Sequence, residues 1–527
     1  MVTSKTFRLD TVGHNYLQMV KSKLPDVEIP DVPLHEAIFF SPKWEEIKNT
    51  HMLVDGISGR SYTFSEVRRI SNNVAAVLKK RGLKKGDMLA MVCHNCPEFA
   101  FMVYGCMFVG VIVTTVNPAY TVYELKHQVK DSRATFIFSS EDAATKAKTI
   151  AAELVQIKEI FNPAEDVVFM PYSSGTTGLP KGALITHKNA LSVVIQTSVP
   201  EFNIPKQDKK GQPNVLGLTP FFHIYGLVLV LCAVPYRGSI IIILPKFSPA
   251  TFLSAMEKYR VSRLYLAPPT ALFMTKSPMV KNYDLSSLKN ILSGGAPLDR
   301  DTEIELAQIL KDTSITQGYG MTEASPSVLM TPLLKPKPGS SGIIIPNTEV
   351  VIMDLESGKV QGPYQRGELW VRGPQVVKGY HNRPEETRET FDADGWLHTG
   401  DIAYYDKDGY FYIVDRIKDL IKVKGFQVAP AELEALMLTH PQVFDVGVTS
   451  VPDERAGELP KAYVVKKPHA SLTEKEILHF VADRTVSYKH LKGGIEFIDE
   501  IPKLPSGKII RRALQERARS KTNKSRL

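Results

Sequence analysis

Apolar positions along the first four hundred residues switch between short continuous runs and helical spacing, which predicts strands alternating with helices in layered α/β sheets. Val67, Ile70, Val74 and Leu78 share one helical face. Thr63 with Glu66 forms a capping box ahead of them, and Gly82 closes the helix. A strand is expected at 88–93, and the aliphatic run inside 239–244 suits a strand buried on both faces. The apolar stretch from Val215 to Tyr236 approaches membrane-spanning length, but Pro220, His223 and Gly226 interrupt it. It reads as a buried strand, a loop and a helix, with no transmembrane segment. Near residue 415 the rhythm changes to a short mixed unit, with strands at 410–414, 444–448 and 462–465 and helices at 431–438 and 474–482. Pro430 suits a first helical turn and Thr473 with Glu476 caps the second helix. The expected fold is therefore α/β: a large multi-lobed N-terminal domain of layered sheets, residues 1–415, and a small α+β C-terminal domain, residues 416–527.

A chain of 527 residues exceeds what one core supports, in line with that division. The net charge of +9 is spread along the chain and partly collected between Arg511 and Arg526, so it outlines no nucleic-acid surface. Local Lys and Arg serve small anionic substrates equally well. Four cysteines and no apolar leader at Met1 to Asp10 point to a reducing compartment. Cys93 and Cys96 in CHNC have redox-motif spacing, but no second pair completes a zinc site and Cys96 abuts Pro97 at a strand-to-helix junction. The final Ser525, Arg526 and Leu527 are a close variant of the S-K-L tripeptide, so a peroxisomal location and the peroxisomal import receptor as partner are expected.

The sharpest chemical signal is YSSGTTGLPKG, Tyr172 to Gly182. Glycines let the backbone approach a polyphosphate, successive N–H groups and hydroxyls donate to its oxygens, and Lys181 supplies countercharge. Lys181 is followed by Gly182, not by Ser or Thr, so this is not a Walker A loop. Strand-like flanks at 167–172 and 183–186 place it at the tip of a hairpin. Five further strings follow in order: SGGAPL (293–298), QGYGMTE (317–323), GWLHTGD (395–401), DRIKDLIKVKGFQV (415–428) and LPSGKIIRR (504–512).

Together these six strings resemble the adenylate-forming superfamily of acyl-CoA synthetases, peptide-synthetase adenylation domains and beetle luciferases, over nearly the whole chain. PFFHIYGL (220–227) and KGFQVAP (424–430) are most similar to 4-coumarate:CoA ligases and the luciferase-like acyl-CoA synthetases of animals. The resemblance implies an ATP-dependent, AMP-forming ligase that turns a carboxylic acid and ATP into acyl-adenylate and pyrophosphate, then transfers the acyl group to coenzyme A. The chemistry is coherent, because a carboxylate is a poor electrophile until attack on the α-phosphate gives it AMP as leaving group. Two anions must then meet, which demands cations and donors already in place.

Carried over position by position, the resemblance puts Ser173, Ser174, Gly175, Thr176, Thr177, Gly178 and Lys181 on the ATP phosphates. Tyr319 would stack on adenine, with Gly295, Ala296 and Pro297 as the other wall and Gln317, Gly318, Gly320 and Met321 completing the nucleotide site. Thr322 would bond the α-phosphate, Glu323 would hold Mg²⁺, and Asp401 would accept the ribose hydroxyls with Arg416 reaching the same sugar. Lys508 would supply countercharge during adenylation. A rotation about a hinge at Lys418 would then make the small domain mobile, bringing Lys422, Lys424, Gly425, Phe426 and Gln427 to the coenzyme A face while His223 orients the acyl carbonyl. The acid pocket would draw on Tyr225, Gly294, Gly320, Met321, Pro326 and Ser327, an apolar slot suited to a lipophilic fatty or aryl-propenoic acid.

Between Lys146 and Asp166 the chain is a few tens of residues shorter than the pattern of that superfamily, with 157–161 as the remnant of an expected strand. A missing strand would leave an open sheet edge. Two other functions compete with the ligase: a luciferase-like monooxygenase that oxidises its adenylate, and a catalytically dead scaffold, against which the retention of Lys508, Glu323 and Asp401 counts.

Overall fold

The computed structural model describes residues 19–151, 166–173, 180–203, 213–423, 426–453, 455–503 and 509–524. Among these residues the fold is built on four sheets and one short hairpin. The largest has nine strands, in the order Ile343–Ile344, Ser327–Met330, Ser314–Gly320, Asn290–Ser293, Arg263–Leu266, Asn214–Gly217, Ile240–Ile243, His51–Asp55, Ser61–Thr63. Its middle strands run parallel. Ile241, Ile242 and Ile243 are buried, as strands covered by helices on both faces require.

A second sheet of five strands joins Ile185–Thr186, Val167–Phe169, Ile112–Val116, Met88–Val92 and Phe136–Ser139. Phe136–Ser139 forms one edge of it, and the expected strand remnant at 157–161 lies outside the described residues. A third, antiparallel sheet runs Val20–Lys21, Glu349–Met353, Gly367–Arg372, Leu397–Tyr405, Phe411–Arg416. The small unit has Gly457–Lys466 paired with Val443–Asp453, with Ile421–Val423 and with Ile495–Phe497, and Phe426–Val428 beyond Ile421–Val423. The change of sheet falls at the single turn Ile417–Asp419, so Arg416 still belongs to the strand that closes the third sheet.

Local expectations translate directly. Thr63 and Glu66 exchange both bonds of a capping box ahead of the helix Phe64–Lys80, and Gly82 follows with φ of +85°. Thr473 and Glu476 do the same for Glu474–Ala482, and Pro430 occupies the first turn of Pro430–Leu438. The apolar stretch becomes the strand Asn214–Gly217, a loop, and a buried helix whose first part, Tyr225–Cys232, has π-type bonding. Among the described residues no helix is long and apolar enough to cross a membrane.

Candidate active site

Asn290–Ser293 and Ser314–Gly320 are parallel neighbours with Ser293 opposite Gln317, so the chain leaves both strands at the same sheet end. Open α/β sheets bind ligands at such carboxyl ends. Gly295 has φ of +86° and starts the Gly295–Pro297 turn. Gln317 uses its amide to fix that turn: Leu298 N–H donates to its Oε1 (3.0 Å), while Nε2 donates to the Leu298 carbonyl (3.1 Å) and to Glu303 (2.8 Å). Its part is to hold one wall of the site in place.

Gly318 and Gly320 let the next strand lie against this one. A Cβ on Gly320 would fall 1.7 Å from the Pro326 carbonyl oxygen. Met321 N–H donates to that same oxygen (2.8 Å), so Gly320, Met321, Pro326 and the buried Ser327 meet at one turn. Tyr225 stands beside them, its hydroxyl donating to the Leu292 carbonyl (2.8 Å) and its ring against Gly294, where an added Cβ would be 3.3 Å from Cζ. An aromatic ring and glycines therefore meet at this end of the sheet.

The turn Thr322–Ala324 carries Thr322 and Glu323 at the same end. Glu323 is buried, and its Oε1 accepts from the Tyr380 hydroxyl at 2.7 Å. The strands flanking the phosphate loop pair antiparallel, Ser173 with Lys181 and Tyr172 with Gly182, so the loop does tip a hairpin. Lys181 Nζ lies 5.2 Å from the centroid of the Tyr380 ring, which joins the hairpin to Glu323. Ser174, Gly175, Thr176, Thr177 and Gly178 at the tip lie outside the described residues, as do Lys424, Gly425 and Lys508.

On the third sheet Asp401 and Arg416 are register partners. Asp401 accepts from the Tyr319 hydroxyl at 2.6 Å and pairs with Arg416 Nε at 3.3 Å. Burial and the Asp401 charge push the Tyr319 phenol well above its ordinary value, so it remains a donor throughout the working pH range. The three residues that the resemblance assigned to adenine and ribose are thus in mutual contact.

His223 accepts the Tyr225 N–H on Nδ1 (3.2 Å), and burial lowers its pKa to about 4, which keeps the imidazole neutral. The loop bearing it is held from below by Asn95, whose amide nitrogen donates to the Gly217 and Thr219 carbonyls (both 3.1 Å) and whose oxygen accepts from Phe221 N–H (2.8 Å). Asn95 sits between Cys93 and Cys96, which are reduced with their sulfurs 3.7 Å apart; Cys96 precedes the helix Pro97–Val109. CHNC therefore carries an anchor that the spacing of its cysteines concealed. Tyr380 was missed as well, because KGYHNRP has no spacing that marks it, only a glycine ahead of the aromatic.

In the small unit Lys422 is exposed and pairs in register with Gln427, as Val423 does with Phe426. The Lys422 N–H donates to Glu458 at 2.9 Å. Lys418 is the middle residue of the turn Ile417–Asp419 between the third sheet and this one.

Residues 43–381 match the model of the AMP-binding enzyme family and residues 432–508 that of the AMP-binding enzyme C-terminal domain. The chain belongs to the AMP-binding enzyme family. A 4-coumarate–CoA ligase from Pinus taeda is 41% identical over 534 aligned residues, covering 95% of this chain and 98% of the relative. Among solved structures, ATP-bound MatB from Rhodopseudomonas palustris is similar with a TM-score of 0.85 at 26% identity, covering 93% of this chain and 99% of that one. The o-succinylbenzoate CoA synthetase MenE of Bacillus subtilis, in complex with an acyl-adenylate intermediate, is similar with a TM-score of 0.76 at 26% identity, covering 92% and 98%. This family member is an ATP-dependent, AMP-forming acid–CoA ligase that works through an acyl-adenylate, with ATP and coenzyme A as substrates. None of these relatives supports the oxidative alternative.

Proposed function

We propose that the acid activated here is lipophilic, fatty or aryl-propenoic, and that it lies in the slot between Tyr225, Gly294 and the turn at Gly320 and Pro326. The observation that carries this reading is the apolar packing of these residues: the Tyr225 ring lies against Gly294 and its hydroxyl is spent on the Leu292 carbonyl. The 4-coumarate–CoA ligase relatives agree with it. In this reading the acid's carboxylate attacks the α-phosphate, the α–β phosphoanhydride breaks and pyrophosphate leaves, while Thr322 donates to the α-phosphate and Lys181 and Lys508 supply countercharge. Tyr319 faces adenine, and Asp401 and Arg416 hold the ribose. The turn at Lys418 then rotates the small domain, and the thiol of coenzyme A attacks the adenylate beside the neutral His223, displacing AMP.

Mg²⁺ belongs to the same proposal. Among the described residues no group of three or more His, Cys, Asp or Glu could hold a metal. The buried carboxylate of Glu323, joined through Tyr380 to Lys181 on the hairpin stem, does fit an ion that keeps waters and binds through one or two carboxylates plus phosphate oxygens. Bound there, it would neutralise charge on the polyphosphate. Ser525, Arg526 and Leu527, outside the described residues, are proposed as a peroxisomal import signal, tested by fluorescence of an N-terminally tagged chain with and without them.

The test of the substrate is pyrophosphate release across fatty acids of graded length and a set of aryl-propenoic acids, each repeated with coenzyme A and followed by mass detection of the thioester. A lipophilic acid should give both products. Preference for short polar diacids would overturn the reading.

A further inference from the structure

We propose that Tyr380 is the positioning residue that sets the Glu323 carboxylate and the Lys181 ammonium against the triphosphate of ATP. This rests on the reading of those two groups as triphosphate partners. Glu323 is on the turn after the strand Ser314–Gly320 and Lys181 on the stem of the phosphate hairpin, whose partner strand Tyr172–Ser173 packs on that turn. The segment from Val377 to His381 ties the two together further. Val377 N–H donates to the Glu323 carbonyl (3.0 Å), Leu184 N–H to the Gly379 carbonyl (3.0 Å) and His381 N–H to the Gly182 carbonyl (2.8 Å). Tyr380 pairs with Ala183 as a β-bridge, and its own N–H donates to Thr387 Oγ1 (3.0 Å) on the helix Pro384–Thr390. The backbone at Tyr380 is thereby tied to the hairpin stem, to the Glu323 turn and to a helix.

Its side chain completes the connection with two distinct contacts. The hydroxyl donates to Glu323 Oε1 at 2.7 Å in a buried setting, which holds the carboxylate in one rotation. The ring face lies 5.2 Å from Lys181 Nζ, a cation–π distance. Ser173 Oγ, on the other strand of the hairpin stem, is buried beside the Tyr380 hydroxyl.

Tyr380→Phe removes the hydroxyl and keeps the ring, whereas Tyr380→Leu removes both. The measurement is calorimetric affinity for ATP in the full chain, with Mg²⁺ and with EDTA, beside the melting temperature. Tyr380→Phe should weaken binding of Mg·ATP about 10-fold, the loss of one hydrogen bond to a charged group, and leave metal-free ATP within about twofold. Tyr380→Leu should weaken both forms, since the ammonium then loses its ring as well. A merely structural role would lower both affinities together in Tyr380→Phe, in step with the melting temperature, and would overturn the proposal. Glu323→Gln separates the two levels of reading. If it leaves the Mg²⁺ dependence intact, the metal reading of Glu323 falls and this proposal with it. If it removes that dependence while Tyr380→Phe does not alter it, Tyr380 alone is displaced.

Discussion

Asp401 joins the fold to the proposed ribose site, so Asp401→Asn tests that assignment. The substitution keeps size and shape but exchanges an acceptor-only carboxylate for an amide with one acceptor oxygen. In the folded protein that carboxylate receives the buried Tyr319 hydroxyl at 2.6 Å and pairs with Arg416 at 3.3 Å, where Arg416 is part-exposed and Asp401 buried. The pair with Arg416 is screened and contributes at most about 1 kcal/mol. Hydrogen bonds to a charged acceptor contribute about 1.5–3 kcal/mol each, so the ribose hydroxyls lose the larger share. A net loss of about 1–3 kcal/mol corresponds to a 5- to 150-fold weaker ATP complex. Calorimetry should show that loss for ATP and none for inorganic tripolyphosphate, which lacks the sugar. Tyr319→Phe serves as control, because it removes the intramolecular donor without touching the carboxylate. Unchanged ATP affinity in Asp401→Asn, or an equal loss for tripolyphosphate, refutes the assignment.

Gly294→Ala should shrink the acid slot, since its Cβ would meet the Tyr225 ring at 3.3 Å: kcat/KM is expected to fall about 10-fold or more for the bulkiest acids while ATP affinity holds, and a uniform loss for all acids would count against the slot. Lys508→Ala should abolish pyrophosphate release yet spare thioester formation from pre-made acyl-adenylate, and equal loss of both half-reactions would contradict its assignment to the first. Acid lability is expected at His187, which accepts the Leu34 N–H on Nδ1 and whose pKa burial lowers to about 3. Its folded pKa is depressed, so the unfolded chain binds the proton first, and stability falls as pH drops from about 6.5 towards about 3, by roughly 1.4 kcal/mol at pH 5.5. Melting temperatures at pH 7.5 and 5.5 for the wild type and His187→Asn check this; an identical pH slope in the two would remove His187 as the cause.

Elements with a local cause were legible in the sequence. The Thr63–Glu66 and Thr473–Glu476 boxes, Pro430 at a first turn and the aliphatic strand Ile240–Ile243 each follow from side chains within four residues of one another. Tyr319, Asp401 and Arg416 were singled out through resemblance, and the fold brings them together from strands far apart in the chain. What stayed hidden are residues whose meaning is purely long-range. Asn95 reaches 126 positions along the chain to Phe221, and Tyr380 lies 57 positions from Glu323, so no spacing rule connects them. The same holds for Gln317, whose place in a nucleotide string concealed its work on the neighbouring turn.

The turn at Lys418 has a charge network on one side that a rotation would leave intact. Arg511 binds both oxygens of Glu434 and the Val448 carbonyl and pairs with Asp419 at 3.5 Å, all of them C-terminal to Lys418. That network fixes the helix Arg511–Lys524, which follows the segment bearing Lys508, to the small domain's own helix Pro430–Leu438 and strand Val443–Asp453. Apolar and polar contacts both cross the turn: Ile402 and Val414 before it pack with Leu420 and Ala429 after it. Asp415, the residue before Arg416, accepts the Ala431 N–H at 2.8 Å, and burial raises its pKa to about 6 even though the Arg511 charge opposes the rise. A rotation about Lys418 would separate Asp415 from Ala431 and Arg511 and return a buried carboxylate to water, so hydration gained would offset part of the hydrogen bond lost. A rotation there would also part the apolar cluster of Ile402, Leu420 and Ala429, so that buried contact would set the barrier between two half-reactions.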